Sequence, residues 1–391
     1  MKILIVFPGL HLDVDEGAKH RLNCYINEYK KKGDNVTVLA FCRSGLFVKN
    51  RKQYLNTNAK WFLLPYILPI SKFFILSKIL EFYLAFVLFV VTWLNKYDVV
   101  QMEIQNIKNR FCRKALYITD IHGDAVYEEL ESERASKKWF VQYLVYLQKK
   151  IIKNSDYCIL VTENLKKQIQ KNTNLPINNY SIISCGVDFE RFAVTPKASI
   201  HINLSNRIVI GYSGGLQAWQ NFDKMIDLVI KLRNFMPEIF FMVYTNNQID
   251  EYKNKLDELG KDNYLIMGLK SADIPYYLKL FDVGLLLRDN KILNKVSSPT
   301  KICEYLAAGV PLICTRYSGD YSRSVKQLET GFVTEETNIS KNELNKLLNL
   351  LKDIKKRREY YYAKCQEVAS YRTFTSEFEC FYQVIEKYLL K

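Results

Sequence analysis

The chain has 391 residues, of which 48% are hydrophobic and 25% are charged, and this is enough sequence for two packed domains. Its net charge of +15 suits nucleic acid, an anionic membrane or an acidic substrate, but no zinc-ligand spacing, aromatic RNA-binding signature or helix-turn-helix accompanies that charge. Nine scattered cysteines without a Cys-x-x-Cys pair indicate a reduced, cytoplasmic protein and argue against a disulfide framework.

The first half of the chain alternates strand-like and helix-like runs, which is typical of parallel βαβ units. The predicted strands cover residues 2–7, 36–41, 61–64, 98–102, 116–118, 157–161 and 181–183, and the predicted helices cover 17–32, 73–94 and 126–153. Because the apolar run at the N-terminus is too short for a signal peptide, we interpret it as the first buried strand.

The run over 73–94 is long enough to cross a membrane, at roughly 20 residues. Lys78 and Glu81 interrupt it, and a spanning segment would divide an α/β domain, so the sequence favours a well-buried helix. The alternative is a membrane-surface patch formed together with four neighbouring residues. These are Trp61, Phe62, Tyr66 and Ile67.

A polar stretch over residues 193–206 has little periodicity and is predicted to link two domains, 1–192 and 207–373. After the linker, strands are predicted over 208–212, 240–244, 264–267, 283–287, 312–315 and 331–333. Helices are predicted over 222–235 and 251–259, from 271, from 299, after 320, and then to the C-terminus. The second half therefore repeats the strand–helix alternation of the first.

The stretch from Ser297 to Pro311, SSPTKICEYLAAGVP, is predicted to be a helix with punctuation at both ends. Ser298 is a good N-cap, Pro299 suits the first helical position, and Gly309 suits a left-handed exit. The first turn of such a helix presents unpaired N–H groups, so it is a ready site for an anion.

Thr300 and Lys301 lie in that first turn, and Glu304 shares their face one turn further on. This arrangement suits a nucleotide, with the amides and Lys301 holding a diphosphate and Glu304 accepting hydrogen bonds from the ribose hydroxyls. On the residues alone, an ordinary amphipathic helix with a surface Lys–Glu pair explains the pattern equally well.

The pattern Ser-Pro-Thr-Lys-x-x-Glu-Tyr-Leu-Ala-Ala-Gly-x-Pro, followed by Ser318-Gly319-Asp320, resembles the donor-nucleotide signature of retaining glycosyltransferases of family 4. The resemblance implies an α/β protein of the GT-B fold, in which two Rossmann-like domains with parallel sheets face each other across a cleft. It also implies that the last helix, over 374–391, packs back on the first domain. A hexose would move from a UDP- or GDP-linked donor to a hydroxyl acceptor, with neither a metal nor another cofactor.

Gly214-Gly215, directly after the predicted strand 208–212, allows a backbone to approach a phosphate closely, although a simple tight turn is the alternative. Many family members place an Arg and a Lys where this chain has Gly215 and Gln220. We therefore expect the missing positive charge to come from Arg288, and then from Lys301 or Lys295.

A second departure concerns the first of the two glutamates of the family signature, which falls at Val296. Because this position has no carboxylate, backbone around Ser297–Pro299 must take over whatever that glutamate does for the transferred sugar. The identity of the donor sugar is therefore not predicted.

His122 stands between Asp120 and Asp124, after the predicted strand 116–118. A histidine there can handle a proton or bind a sugar hydroxyl, and a core role is the alternative. The family places a histidine against the donor sugar at this point, which implies a catalytic role for His122. Asp120 and Asp124 are expected to be structural or to face the acceptor.

Gly17 and Lys19, with His20 and Arg21, occupy the position of the family's acceptor loop and are predicted to bind the acceptor; a surface helix start is the alternative. The letters Asp13-Val14-Asp15 match a metal-binding signature but fall in that acceptor-side loop, so no metal is predicted.

Together these features predict a glycosyltransferase for cell-surface polysaccharide or glycolipid synthesis. The basic, aromatic-rich first domain suits a lipid-linked acceptor at the cytoplasmic face of an anionic membrane, and no nucleic-acid partner is expected. Two alternatives stay open: a sugar-nucleotide epimerase of the same shape, and a silent scaffold that binds a nucleotide or a membrane.

Overall fold

We describe a computed structural model of the chain that covers residues 1–12, 17–44, 51–66, 74–103, 115–131 and 137–390. The chain forms two compact units, the first made of Met1–Ser184 with Glu377–Lys391 and the second of Cys185–Ser376. Within the described residues each unit has one sheet, and all the strand pairs are parallel. The predicted α/β class is confirmed.

The described part of the first unit contains a sheet of seven strands in the order β3-β2-β1-β4-β5-β6-β7, with helices on the connections. The strands are β1 (Lys2–His11), β2 (Asn35–Ser44), β3 (Lys60–Pro65), β4 (Val99–Glu103), β5 (Leu116–Ile121), β6 (Tyr157–Leu160) and β7 (Tyr180–Ile182). The helices are α1 (Gly17–Lys31), α2 (Phe74–Leu94), α3 (Ala125–Leu130), α4 (Lys138–Asn154) and α5 (Glu163–Thr173), with a 3₁₀ turn over Arg51–Tyr54.

The second unit has a sheet of six strands in the order β10-β9-β8-β11-β12-β13. The strands are β8 (Ile208–Ser213), β9 (Ile239–Tyr244), β10 (Tyr264–Met267), β11 (Val283–Leu286), β12 (Leu312–Thr315) and β13 (Gly331–Thr334). The helices are α6 (Phe189–Val194), α7 (Phe222–Arg233), α8 (Lys253–Glu258), α9 (Ile274–Leu278), α10 (Ile292–Val296), α11 (Thr300–Ala307), α12 (Tyr321–Gln327), α13 (Lys341–Lys356) and α14 (Arg358–Tyr371).

Both sheets have the strand order of a doubly wound Rossmann-like fold, in which the chain reverses direction across the sheet at one point. That switch point lies between β1 and β4 in the first unit and between β8 and β11 in the second. Ligands of such sheets bind beyond the carboxyl ends of the strands at the switch point, so these two places locate the candidate sites.

The last helix, α15 (Phe374–Leu389), returns the chain to the first unit. The ring of Phe378 packs against Tyr29, with centroids 5.0 Å apart, and the hydroxyl of Tyr382 donates to Asp34 at 2.9 Å. Glu377 accepts from the backbone N–H of Ser184 at 2.6 Å. The predicted return of the final helix to the first domain agrees with this packing.

The chain leaves the first unit at Ser184, which is earlier than the predicted linker over 193–206. Residues that follow Ser184 already pack on the second unit, because α6 buries Phe192 in its core and Leu204 lies against the same core. The apolar side chains in this polar stretch are few, and for that reason its packing was not predicted.

Several predicted elements have different bounds in the structure. The predicted helix over 126–153 is two helices, α3 and α4, since Glu131 has left the helical conformation and Lys137 is extended. β1 continues past Phe7 to His11 with irregular register to β2. The predicted helix over 251–259 begins as a 3₁₀ turn (Asp250–Tyr252), and α10 was not predicted.

Candidate functional site

The switch point of the second unit brings the ends of β8 and β11 side by side, with Gly284 paired to Gly211. Gly214 directly follows β8, and Arg288 follows β11 two residues after its end. Helix α11 begins beside them, because the N–H of Ser213 donates to the hydroxyl of Tyr305 at 2.9 Å. The predicted donor residues of this unit therefore meet at one edge of the sheet.

Gly214 lies under the side chain of Lys301. A Cβ at Gly214 would lie 2.2 Å from Lys301 Cε and 2.6 Å from Lys301 Nζ, and the φ of +143° is also one that other residues rarely adopt. The absence of a side chain at Gly214 thus lets the lysine extend across the end of β8. Its Nζ lies 5.7 Å from the ring centre of Tyr212.

The start of α11 differs from the prediction. Pro299 is the N-cap and Thr300 the first helical residue, because the hydroxyl of Ser298 accepts from the N–H of Cys185 at 3.0 Å instead of capping the helix. Gly319, at φ +74°, packs so tightly that a Cβ would lie 2.3 Å from the carbonyl oxygen of Ser297. The loop before the helix is therefore fixed by packing.

At the start of α11 the amides of Thr300 and Lys301 are the first two of the helix and have no intrahelical partner, whereas the N–H of Ile302 donates to the carbonyl of Pro299 at 3.2 Å. At the other end the N–H of Val310 donates to the carbonyl of Tyr305 at 2.8 Å, and Gly309 has a φ of +75°. This is the left-handed exit that was predicted.

Lys301 and Glu304 are both held in a partly buried setting where their charged forms are disfavoured. Burial, and then the nearby charge of Arg288, lower the pKa of Lys301 to about 8, while Glu304 acts in the opposite direction. Burial also raises the pKa of Glu304, against the pull of Lys301 and Arg191. Within the described residues neither side chain has a hydrogen-bonding partner, so both can serve a ligand.

Arg288 is buried and only partly satisfied. Its Nη1 donates to the carbonyl of Trp219 at 2.8 Å, and its backbone N–H donates to the hydroxyl of Thr315 at 2.9 Å. Its Nε is buried without a partner in the described residues, and burial lowers the pKa of the guanidinium to about 10. A buried cation with a spare donor is suited to an anion.

Gly215 and Gln220 shape the loop after β8. The hydroxyl of Tyr212 lies 3.1 Å from Oε1 of Gln220 and also donates to the carbonyl of Gly215. Gln220 is buried and therefore holds the loop that presents Trp219 to Arg288. The predicted donor contacts of Gly215 and Gln220 stay predictions.

Glu103 ends β4, one of the two strands at the switch point of the first unit. His122 follows the neighbouring strand β5 and lies next to Glu103. Nε2 of His122 lies 3.4 Å from Oε1 of Glu103, and Nδ1 is buried without a partner in the described residues. Burial lowers the pKa of His122, with a smaller contribution from Arg21, whereas Asp120 raises it. In a neutral ring, the nearby Glu103 carboxylate favours the tautomer with the proton on Nε2, which leaves Nδ1 as an acceptor.

Glu103 was not among the predicted site residues. A signal was present in the sequence, since a carboxylate ends the otherwise uncharged strand VVQME at the position where sheets of this type bind ligands. Its pairing with His122 depends on the register of β4 against β5, in which Glu103 pairs with Asp120.

Asp120 and Arg21 form a buried ion pair, with Nε to Oδ2 at 2.7 Å and Nη2 to Oδ1 at 2.8 Å. Arg21 also donates to the hydroxyl of Tyr25 and to the carbonyl of Ser184. These contacts lie inside the first unit and give Arg21 a packing role there, and its predicted acceptor contact stays a prediction.

Asp124 is fully buried as the N-cap of α3, where it accepts from the N–H of Val126 and from the amides of Gln148 and Asn172. Gly17 opens α1, and the ammonium of Lys19 donates to the carbonyl of Leu12. Their predicted acceptor contacts stay predictions.

Lys295, the third candidate for the diphosphate, has its ammonium 5.4 Å from the ring centre of Tyr317.

In the described ranges no three His, Cys, Asp or Glu side chains form a group that could hold a metal ion, and Asp13 and Asp15 lie outside those ranges. No helix in the same ranges is long and apolar enough to span a bilayer.

Comparison with solved structures places this fold among GT-B glycosyltransferases. A glycosyltransferase from Rickettsia africae ESF-5 matches with a TM-score of 0.66 and 16% identity, over 100% of this chain and 98% of that one. Sucrose-phosphate synthase from Thermosynechococcus elongatus matches with a TM-score of 0.70 and 11% identity, over 99% of both chains. TarM of S. aureus, whose structure contains UDP, matches with a TM-score of 0.66 and 12% identity, over 98% of this chain and 99% of that one.

Residues 197–367 match the family described as Glycosyl transferases group 1. The matched segment lies within the second unit. The chain is also 23% identical over 169 residues to TuaH of Bacillus subtilis (strain 168), a protein assigned as a glycosyltransferase of teichuronic acid biosynthesis. That alignment spans 42% of this chain and 42% of TuaH.

Proposed function

We propose that the protein is a retaining glycosyltransferase of family 4 that moves a hexose from a nucleoside-diphosphate sugar to a hydroxyl acceptor. The observation that supports this proposal is the grouping of Arg288, Lys301 and Glu304 at one switch point. Burial disfavours the charged form of each of these groups, Arg288 has a spare Nε donor, and Lys301 lies in the first turn of α11.

In this reaction the acceptor oxygen replaces the diphosphate oxygen on the anomeric carbon, and the proton of the acceptor hydroxyl leaves with the nucleoside diphosphate. Negative charge grows on the departing diphosphate as that bond breaks. Arg288, Lys301 and the first-turn amides of α11 would stabilise the charge, which is the role that a metal ion takes in other transferases. We therefore propose a metal-independent reaction that needs no further cofactor.

Glu304 would hold the nucleotide through its ribose hydroxyls, one helical turn from the phosphate contacts. Burial raises the pKa of Glu304, and two hydroxyl donors would offset part of that desolvation. The family's first glutamate has no counterpart, because Val296 is a buried apolar residue at the end of α10. Donor-sugar contacts at this point would then come from the backbone before α11.

His122 is proposed as the catalytic histidine against the donor sugar, with Nδ1 as its acceptor atom. The unpartnered, buried Nδ1 and the nearby Glu103 support this assignment, because together they favour one neutral tautomer. A neutral imidazole can accept from a sugar hydroxyl without adding positive charge at the reacting carbon.

We further propose that the acceptor is lipid-linked and that the enzyme works at the cytoplasmic, anionic face of a membrane during cell-surface polysaccharide or glycolipid synthesis. The assignment of TuaH to teichuronic acid biosynthesis supports this pathway class. The UDP found with TarM supports a UDP-linked sugar as the first donor to test, and a GDP-linked sugar is the second.

Thermal unfolding against a panel of UDP, GDP, CMP, ADP and dTDP sugars tests the donor site. A ligand at 100 times its dissociation constant should stabilise the protein by about 2.7 kcal/mol, which is easily seen as a rise in Tm. We expect one base to stabilise the wild type and Glu304→Ala to lose the effect. Glu258→Ala is the matched control, because Glu258 is an exposed carboxylate of the same unit, on α8.

A protein that responds to no nucleotide, while Glu258→Ala and the wild type unfold normally, would favour the silent scaffold over the transferase. If a nucleotide sugar binds and is converted without any acceptor, the epimerase is the better assignment. Transfer to an acceptor, with retention at the anomeric carbon followed by nuclear magnetic resonance, is the result expected here.

A further inference from the structure

Helix α2 is apolar on two opposite faces. Leu80, Leu84 and Leu88, spaced four residues apart, are buried in the core of the first unit. The opposite face carries large apolar side chains that the described structure leaves open to solvent. These are Ile79 (51% exposed), Phe82 (74%), Phe86 (57%) and Trp93 (74%).

The spacing of these four residues, at i, i+3, i+7 and i+14, places them in one stripe of the helix surface. The stripe runs from Ile79 to Trp93, and these 14 helical steps cover about 21 Å at 1.5 Å each. The prediction of a well-buried helix over 73–94 is therefore correct for one face only. A helix that is apolar all round is normally covered on all sides, so the stripe requires an occupant.

The stripe presents no free carboxylate. Glu81, the one acidic residue of α2, accepts from Lys150 at 2.8 Å, from Tyr143 at 3.0 Å and from Lys78 at 3.3 Å. These contacts lower the pKa of Glu81 against the opposing effect of its burial, and they tie α2 to α4.

Helix α4 packs beside α2, with the ammonium of Lys78 5.1 Å from the ring centre of Tyr146, and it exposes cations and aromatic rings. Lys138, Tyr146, Lys149 and Lys153 are exposed at helical spacing on one face, and Trp139 is partly exposed next to them. The first 184 residues as a whole contain 27 Lys and Arg against 16 Asp and Glu. An apolar stripe flanked by lysine, tryptophan and tyrosine matches the boundary between lipid headgroups and acyl chains.

We propose that the α2 stripe, with the exposed face of α4, is the surface on which the first unit docks to an anionic lipid bilayer. The inference deepens the membrane location proposed above and names the surface that provides it. α2 lies in the plane of the interface with Phe82 and Phe86 among the acyl chains, and the lysines of α4 contact the anionic headgroups.

Flotation of the full chain with vesicles tests this surface without any need for activity. We compare neutral phosphatidylcholine vesicles with vesicles that also contain phosphatidylglycerol, and the wild type with the double variant Phe82→Ser, Phe86→Ser. Both phenylalanines are exposed, so the variant should keep the fold. The control is Phe235→Ser, which removes an apolar side chain that is 63% exposed in the second unit.

We expect the wild type and Phe235→Ser to float with the anionic vesicles. The double variant should bind at least tenfold more weakly, a difference of about 1.4 kcal/mol. Lys149→Glu with Lys153→Glu should weaken binding to anionic vesicles and leave the weak binding to neutral ones unchanged, and added salt should have the same selective effect.

Equal flotation of the double variant and the wild type would overturn the proposal, as would a wild type that stays with the soluble fraction at low salt. A wild type that is dimeric in solution, and that the double variant converts to a monomer without changing flotation, would assign the stripe to a second copy of the chain. A loss of flotation with unchanged nucleotide-induced stabilisation would support the docking surface independently of the donor site.

Discussion

The depressed pKa of Lys301 makes a specific prediction about how nucleotide-sugar binding depends on pH. In the free protein this pKa is about 8, so Lys301 is mostly charged at pH 7 and mostly neutral at pH 9. A bound diphosphate places negative charge beside the ammonium and raises the same pKa. Binding therefore takes up a proton above pH 8, and affinity falls as the pH rises.

The size of the effect follows from the proton linkage. Affinity should be nearly constant up to about pH 7.5, fall to about half at pH 8 and to about a tenth at pH 9, and then approach a tenfold fall for each pH unit until the pH reaches the pKa of Lys301 in the complex. The stability of the free protein should change in the opposite direction. Because the folded-state pKa lies below the value of an unfolded lysine, stability linked to this group is lower below pH 8 and increases with pH above it.

Calorimetric titration at pH 7, 8 and 9 in two buffers of different ionisation enthalpy measures both the affinity and the proton uptake. Lys301→Arg is the matched control, because a guanidinium stays charged throughout this pH range. Any titration of the nucleotide base affects the wild type and this variant equally. A wild-type profile that is as flat as that of Lys301→Arg, with no proton uptake, would contradict the proposed contact between Lys301 and the diphosphate.

Three further substitutions separate the roles of other residues. Gly214→Ala places a methyl group 2.2 Å from Lys301 Cε at a φ of +143°, so it should cost about 1–3 kcal/mol of stability in thermal unfolding and should also weaken nucleotide binding at least tenfold by calorimetry. Arg21→Met leaves its buried carboxylate partner unpaired and should cost about 3–5 kcal/mol in denaturant unfolding, while nucleotide-induced stabilisation of the second unit persists. Glu103→Gln should lower kcat with little change in the donor KM and should move the pH profile assigned to His122; a purely structural residue would leave that profile in place.

The helix at the centre of the candidate site could be predicted closely because its information is local. Gly309 and Pro311 fix the end of α11 through backbone conformation alone. Its start was misplaced by one residue, since the hydroxyl of Ser298 is used by the N–H of Cys185, a partner 113 positions away in the chain.

Features that depend on neighbouring strands were harder to predict. Glu103 reaches His122 only because β4 and β5 are adjacent and in a particular register. Arg21 lies in a polar run, and its ion pair could not be predicted from that run because the partner Asp120 comes from a strand 99 positions later. Sequence patterns identify the type of residue at a strand end, whereas the pairing of these residues depends on the assembled sheet.

The return of α15 to the first unit has a consequence for synthesis of the protein on the ribosome. The second unit is one continuous segment, Cys185–Ser376, and can fold as soon as it has emerged. The first unit lacks Glu377 and Phe378 until the second unit has been synthesised, so the core around Tyr29 stays open for roughly 10–40 s at about 5–20 residues per second. The unit that is synthesised first therefore completes its apolar core last.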